Sequence, residues 1–199
     1  MLIPTPIMPL MPVRTVAPAL SPVTVAEAKV TLRVEHEDDD GLIETLIGVA
    51  TGYLDGYAGI LGRCLISQTW RADFSAFPGC QWIKLPLLPA SSVTHVKYID
   101  GDGSLQTLTS GWYSLVTTAH GAHVYLNDDY SWPTTSETPS AVQVTAVYGY
   151  GSAASDVPAS LRYAIHLHVA HLYEGRAGKI DDMPAYSALV APYKTRRLG

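Results

Sequence analysis

"DDGLIETLIGVATGYLDGYAG" (residues 39–59) carries the clearest periodicity in the chain. Leu42, Ile43, Leu46, Ile47, Ala50, Tyr53, Leu54 and Tyr57 recur at the three- and four-residue intervals of a helix with one apolar face. The spacing predicts a helix from about residue 39, ended by Gly59, whose backbone freedom suits the turn after a helix. Gly48, Gly52 and Gly56 stand four apart inside it. In a bilayer that spacing favours close helix pairing, but Asp55 and the short length argue against a membrane. The glycines then point to close approach of another helix in a soluble assembly.

Working backwards, "SPVTVAEAKVTLRV" (residues 21–34) predicts an earlier helix. Thr24 and Glu27 have the spacing of a capping box, and Val25, Ala28 and Leu32 share a face. The run "EHEDDD" (residues 35–40) separates the two helices. Its five carboxylates in six positions lack the spacing of a calcium-binding loop, and Gly41 is followed directly by apolar residues. They suit the positive end of the next helix.

Working forwards, the period changes. From Cys64 to Gly151 the chain reads as short β-type runs: "LISQTWRADF", "WIKL", "SVTHVKYID", "SLQTLT", "WYSLVTT", "HVYLN" and "AVQVTAVYGY". "DGDG" (residues 100–103) is a hairpin turn between two of them, and "YGYG" (148–151) a turn at a strand end. Helical pattern returns in "DVPASLRYAIHLHVAHLYEGR" (156–176), with Asp156 as its cap and Pro158 in its first turn. A short helix follows in "PAYSALVAPY" (184–193). The fold class is therefore α+β: a helical domain of three to four helices, with an antiparallel β module of about five to seven strands inserted between the second and third. The expected boundaries are an arm over 1–20, the helical domain over 21–62 and 152–192, the β module over 63–151 and a basic tail over 193–199.

Composition limits function. The chain has 199 residues, 47% apolar and 16% charged, with a formal net charge of −5, enough for one sizeable core or a small core plus a module. That balance argues against a basic surface that grips nucleic acid, though not against DNA passing nearby. Cys64 and Cys80 are isolated thiols without metal-site spacing. "MLIPTPIMPLMPV" (1–13) lacks a basic leader, and Pro4, Pro6, Pro9 and Pro12 interrupt any helix, so it reads as an extended, polyproline-like arm rather than a signal peptide. Ile3, Ile7, Met8 and Leu10 are apolar for a solvated tail and suit burial on a neighbouring subunit. At the other end, Tyr193, Lys194, Arg196, Arg197 and Leu198 follow Pro192, which discourages helix and leaves an extended basic strand.

The strongest hint of chemistry is "AIHLHVAHLYEGR" (164–176), with three histidines in six positions. At about 100° per residue, His168 and His171 share a face while His166 points roughly 160° away, so the three cannot converge on one ion. A metal-dependent hydrolase would need His168 and His171 plus a distant ligand such as His120, His123 or Glu174, and HExxH is absent. No phosphate-binding glycine loop, GxSxG or cysteine–histidine pair is present. A carbohydrate- or receptor-binding module would need an aromatic platform of Trp112, Tyr130 and Trp132; "NDDYSW" (127–132) otherwise reads as a polar loop. Neither metal nor cofactor is implied, and no catalytic residue is assigned.

The order of the segments carries more than any one motif. "TVAEAKVTLRVEHEDDDGLIETLIGVATGYLDGYAG", "LISQTW", "IKLPLLPASSVTHVKYIDGDGSLQTL", "AVQVTAVYGYG", "VPASLRYAIHLHVAHLYEGR" and "LVAPYK" together resemble the head–tail connector (adaptor) proteins of bacteriophages and gene-transfer agents, in the larger branch with a β insertion. The resemblance runs from about residue 21 to 194. The longer proline-rich arm departs from it, as does "EGR", where an Asn often separates the Glu from the Arg. It implies a non-enzymatic virion protein of the neck, present in the host cytoplasm during assembly. Such proteins form a ring, usually dodecameric, beneath the portal protein; the ring extends the DNA channel without specific DNA binding and docks the next tail-proximal (stopper) protein. On this view the histidines occupy ordinary helix positions, and the arm and tail are the portal or subunit contacts.

Overall fold

The computed structural model describes residues 10–118, 121–175 and 179–194. The chain divides into two compact units: residues up to Ala17 with Gln68–Tyr148, and residues from Pro18 to Ser67 with those from Gly149 onward.

The helical unit is built from α1 (Val25–Leu32), α2 (Asp40–Leu54), α3 (Ala159–Tyr173) and α4 (Pro184–Val190). Ile43, Ile47, Ala50 and Leu54 of α2 are buried with Leu161, Ala164, Ile165 and Val169 of α3 and Tyr186 and Val190 of α4. Leu61, Leu65 and Ile66, with Val23, Ala28, Val157 and Ile180, join the same core. Of the apolar stripe read from the sequence, Ile43, Ile47, Ala50 and Leu54 are buried, Leu46 and Tyr53 pack half-buried against the same core, and Leu42 is 51% exposed. The α1 capping box forms as its spacing predicts. Thr24 Oγ1 accepts the Glu27 N–H at 3.2 Å, and Glu27 Oε2 accepts the Thr24 N–H at 2.9 Å. The Thr24 N–H, more than any other group, holds the Glu27 carboxyl below the usual carboxylate range. Arg162 of α3 pairs with the same carboxylate, so the cap also ties α1 to α3. Thr24→Ala should cost about 1 kcal/mol, the usual value of an N-cap, read from denaturant unfolding; an unchanged midpoint would mean the box contributes nothing.

Two helix ends differ from the sequence reading. α2 stops at Leu54, not near Gly59. Asp55 turns extended and its carboxylate accepts the Leu65 N–H at 2.6 Å. Gly56, at φ 77°, then donates its N–H to the Arg63 carbonyl at 2.7 Å. This local pairing outcompetes another helical turn, so Gly56 leaves the expected set of helix-packing glycines. Gly59 is needed for a different reason: a Cβ there would lie 2.4 Å from the Leu54 carbonyl oxygen. At α3, Asp156 closes a preceding 3-10 turn (Ala154–Asp156), accepting the Ala153 N–H at 2.8 Å, and is not the helix cap. Pro158 occupies the cap position itself, and the helix starts at Ala159.

The other unit is antiparallel β. Its strands are β1 (Val13–Val16), β2 (Gln68–Phe74), β3 (Trp82–Lys84), β4 (Ala90–Ile99), β5 (Leu105–Thr107), β6 (Tyr113–Thr118), β7 (Gly121–Leu126) and β8 (Val142–Tyr148). Five form a sheet in the order β1-β2-β8-β4-β5, and three form a second in the order β3-β7-β6. Each of the seven runs between Cys64 and Gly151 contributes one strand, lying between α2 and α3 as the alternation predicts. β8 is central in the larger sheet, which is why Val142, Val144, Ala146 and Tyr148 are all buried. "DGDG" makes the β4–β5 hairpin: Asp100 Oδ1 accepts the N–H groups of Asp102 and Ser104 at 3.1 and 2.9 Å, and Gly103 takes φ 80°.

β1 was not legible as a strand. Residues 10–16, which the arm reading leaves to neighbouring subunits, lie on the edge of the chain's own sheet, with Val13 opposite Arg71 and Val16 opposite Thr69.

Candidate functional site

The helix histidines part company as their spacing requires. His166 is half-buried, with Nδ1 3.1 Å from Thr31 Oγ1 of α1. His168 and His171 face inward and are buried. The His168 ring meets the edge of Tyr53 at 5.2 Å and of Tyr186 at 5.8 Å between centroids. The Tyr53 hydroxyl donates to Asp181, which pushes that phenol up to about 12 and keeps it neutral. Among the described residues no group of three His, Cys, Asp or Glu side chains is placed to hold an ion. His123 belongs to β7, in the other unit, edge-on to Trp82 at 4.9 Å. His120 lies outside the described residues, and Glu174 is exposed after the end of α3. Tyr53, Tyr186 and Asp181 were invisible to sequence reasoning as neighbours of His168, because nothing local links three separate segments.

Burial pushes the His168 imidazole below its ordinary value, His171 adds to this, and Asp181 opposes it. The unfolded chain takes up this proton near pH 6.5, and the native protein only at lower pH. Stability therefore falls as pH drops through about 6.5, and is fully present above about 7. Thermal unfolding between about pH 7 and 5 should be steeper in pH for the wild type than for His168→Phe; equal slopes would show that His168 does not carry the effect.

The three aromatics proposed as one platform do not act together. Trp112 stacks on Tyr130 at 4.8 Å and 16°. Trp132 stacks instead on Phe77 at 4.6 Å and 9°, and its indole N–H donates to the Cys80 carbonyl at 2.8 Å. Each ring has spent a face on a partner, which suits packing of a long loop better than sugar binding.

The surfaces suited to assembly are elsewhere. Gly48 and Gly52 lie on the outer side of α2, where an added Cβ would meet nothing within 4 Å. Leu42 and Val49, each 51% exposed, lie on the same helix. Of the apolar arm residues, Leu10 is exposed, while Ile3, Ile7 and Met8 lie outside the described residues. At the C-terminus, Tyr193 ends a 3-10 turn (Ala191–Tyr193) and is fixed to the helical unit. Ser160 Oγ donates to its hydroxyl at 3.0 Å, and Arg63 Nε donates to its carbonyl at 2.6 Å. Lys194 itself is extended and exposed; Arg196, Arg197 and Leu198 lie outside the described residues. Arg63 and Ser160, which anchor the tail's root, carry no sequence signal for that role.

No protein-family model matches the chain, and no curated protein matches it. Solved structures do. A chain in the neck of an empty gene transfer agent (GTA) particle, computed with C6 symmetry, superposes with a TM-score of 0.79 at 22% identity, covering 96% of this chain and 98% of that one. A chain in the virion of a native GTA particle gives 0.78 at 22% identity, with the same coverage. A chain in the neck of a native GTA particle, computed with C12 symmetry, gives 0.72 at 21% identity, again with that coverage. Both units, in this order, thus build a fold shared along nearly its whole length with chains from gene transfer agent necks.

Proposed function

We propose that the chain is a structural virion protein of the neck of a phage or gene-transfer particle. In this reading it is a head–tail connector that forms a ring beneath the portal protein, extends the DNA channel and docks the tail-proximal protein. The observation that carries the reading is the likeness of fold to neck chains over 96% of this chain, where a shared single domain would cover only part. The net charge of −5 supports a channel wall that lets DNA slide, since holding DNA needs clustered Lys and Arg. A ring of about a dozen copies fits the C6 and C12 symmetries with which those particle necks were computed. The outer side of α2, with Gly48 and Gly52, is assigned to contact with a neighbouring subunit, and the tail from Lys194 to the portal. The role is not enzymatic.

Particles made without this protein test the reading. Electron microscopy should show DNA-filled heads and separate tails, and gold-labelled antibody should mark the neck of complete particles. Normal joined particles in its absence, or label elsewhere, would reject it.

A further inference from the structure

The N-terminal strand has an unusual set of partners. Leu10 donates its N–H to the Asp73 carbonyl at 2.9 Å, and Thr15 Oγ1 donates to the Thr69 carbonyl at 3.2 Å. The Arg14 guanidinium sits 5.9 Å from the centre of the Trp70 ring. The ladder itself pairs Val13, Arg14 and Val16 with Arg71, Trp70 and Thr69. Every one of these interactions ends on β2. All four β1 side chains are exposed, Val13 by 50% and Val16 by 57%; of the two residues before them Met11 is 75% exposed and Pro12 is buried. The chain then leaves this unit after Ala17 and does not return until Gln68. The intervening hinge, Ala17–Ser21, contains Pro18 and ends at the buried Pro22, whose carbonyl accepts from Arg162 Nε at 3.0 Å.

We propose that β1 is an exchangeable arm, which in the assembled protein adds to β2 of an adjacent copy of this chain. The inference rests on the ring reading above. A strand whose named partners all lie on one neighbouring strand can be moved to an identical strand with each of those bonds re-formed, so the exchange has little intrinsic cost. Pro18 fixes one φ in the hinge, which bends at Ala19 and Leu20 and contributes no strand or helix of its own to either unit. Exposed Met11, Val13 and Val16 are a liability on a sheet edge of a lone subunit; between two copies they become contact area. A second copy is the occupant because it presents the same β2 edge in the same register.

The test uses Val16→Cys with Thr69→Cys, opposed in the ladder, together with Cys80→Ser to remove the exposed native thiol. This pair leaves the Arg71–Asp73 ion pair intact. Assembled protein, oxidised and run on a denaturing non-reducing gel, should give a ladder of linked chains. Protein oxidised beforehand as dilute monomer is locked within one chain; it should fail to assemble and recover on reduction. Linked pairs only within single chains in assembled protein, or assembly of the locked protein as well as the reduced one, overturns the exchange and leaves the ring standing. Absence of any oligomer, in solution and in purified particles, overturns both.

Discussion

Gly149→Ala should lower stability by roughly 3–5 kcal/mol, because backbone strain and a steric clash act at the same position. Gly149 adopts φ +135°, outside the conformations an L side chain takes readily. A Cβ there would also lie 2.6 Å from the Ser67 nitrogen and 2.7 Å from the Ile66 carbonyl carbon, both backbone atoms that cannot swing away. This is where the chain leaves the helical unit after Ser67 and re-enters it at Gly149. The two passages are bonded together: Ser67 donates its N–H to the Gly151 carbonyl at 2.9 Å, and Tyr150 to Leu65 at 3.0 Å. An added methyl must push them apart. In thermal unfolding the loss should appear as a fall in Tm of the order of 10 °C for a chain of this size. Gly48→Ala is the matched control: its Cβ meets nothing, so helix propensity alone should leave stability unchanged or raise it by about 0.5–1 kcal/mol. A Gly149→Ala protein as stable as the wild type would show that the close passage is not fixed.

That contrast also marks how far the sequence could be read. Periodicity identified α2 and the seven strands between Cys64 and Gly151, because each buries one face and the burial is written into alternate or every third and fourth residue. The α1 cap was legible for the same reason: Thr24 and Glu27 are close in sequence, and their chemistry is local. What could not be read depends on pairings across the chain. α2 ends early because Asp55 reaches Leu65 and Gly56 reaches Arg63; the apolar pattern runs on through Tyr57, which is half-buried in the loop that follows. β1 lies in a proline-rich stretch, and edge strands tolerate flanking prolines that a central strand would not, so nothing in "VRTV" announces its partner. The three aromatics looked alike in sequence and separate only when Phe77 claims Trp132. The histidine spacing was legible as far as divergence, but not that two of the rings are buried, His168 between Tyr53 and Tyr186.

Under the connector reading, removing residues 194–199 should abolish joining to heads while leaving the fold intact. The cut is placed after Tyr193 because that residue belongs to the helical unit: its hydroxyl and carbonyl are both bonded, to Ser160 and Arg63. Taking it away would confuse a docking defect with a folding one. Beyond it the sequence supplies Lys194, Arg196 and Arg197 with no acidic residue, then Leu198. An extended cationic segment can lie against carboxylates of a partner or add to a sheet edge. At about 1.5–3 kcal/mol for each charge-assisted bond, losing even two should weaken one contact roughly 100-fold or more. In a ring the contacts act together, and the defect multiplies. Full-length protein should therefore bind DNA-filled heads in sedimentation, and the truncated form should not, with thermal unfolding of the two alike. Reversing the charges of Lys194, Arg196 and Arg197 to Glu should reproduce the loss, and raised salt should weaken the wild-type contact in the same direction, since exposed ion pairs are screened. Truncated protein that joins heads as well as the full chain would move the portal contact away from this terminus.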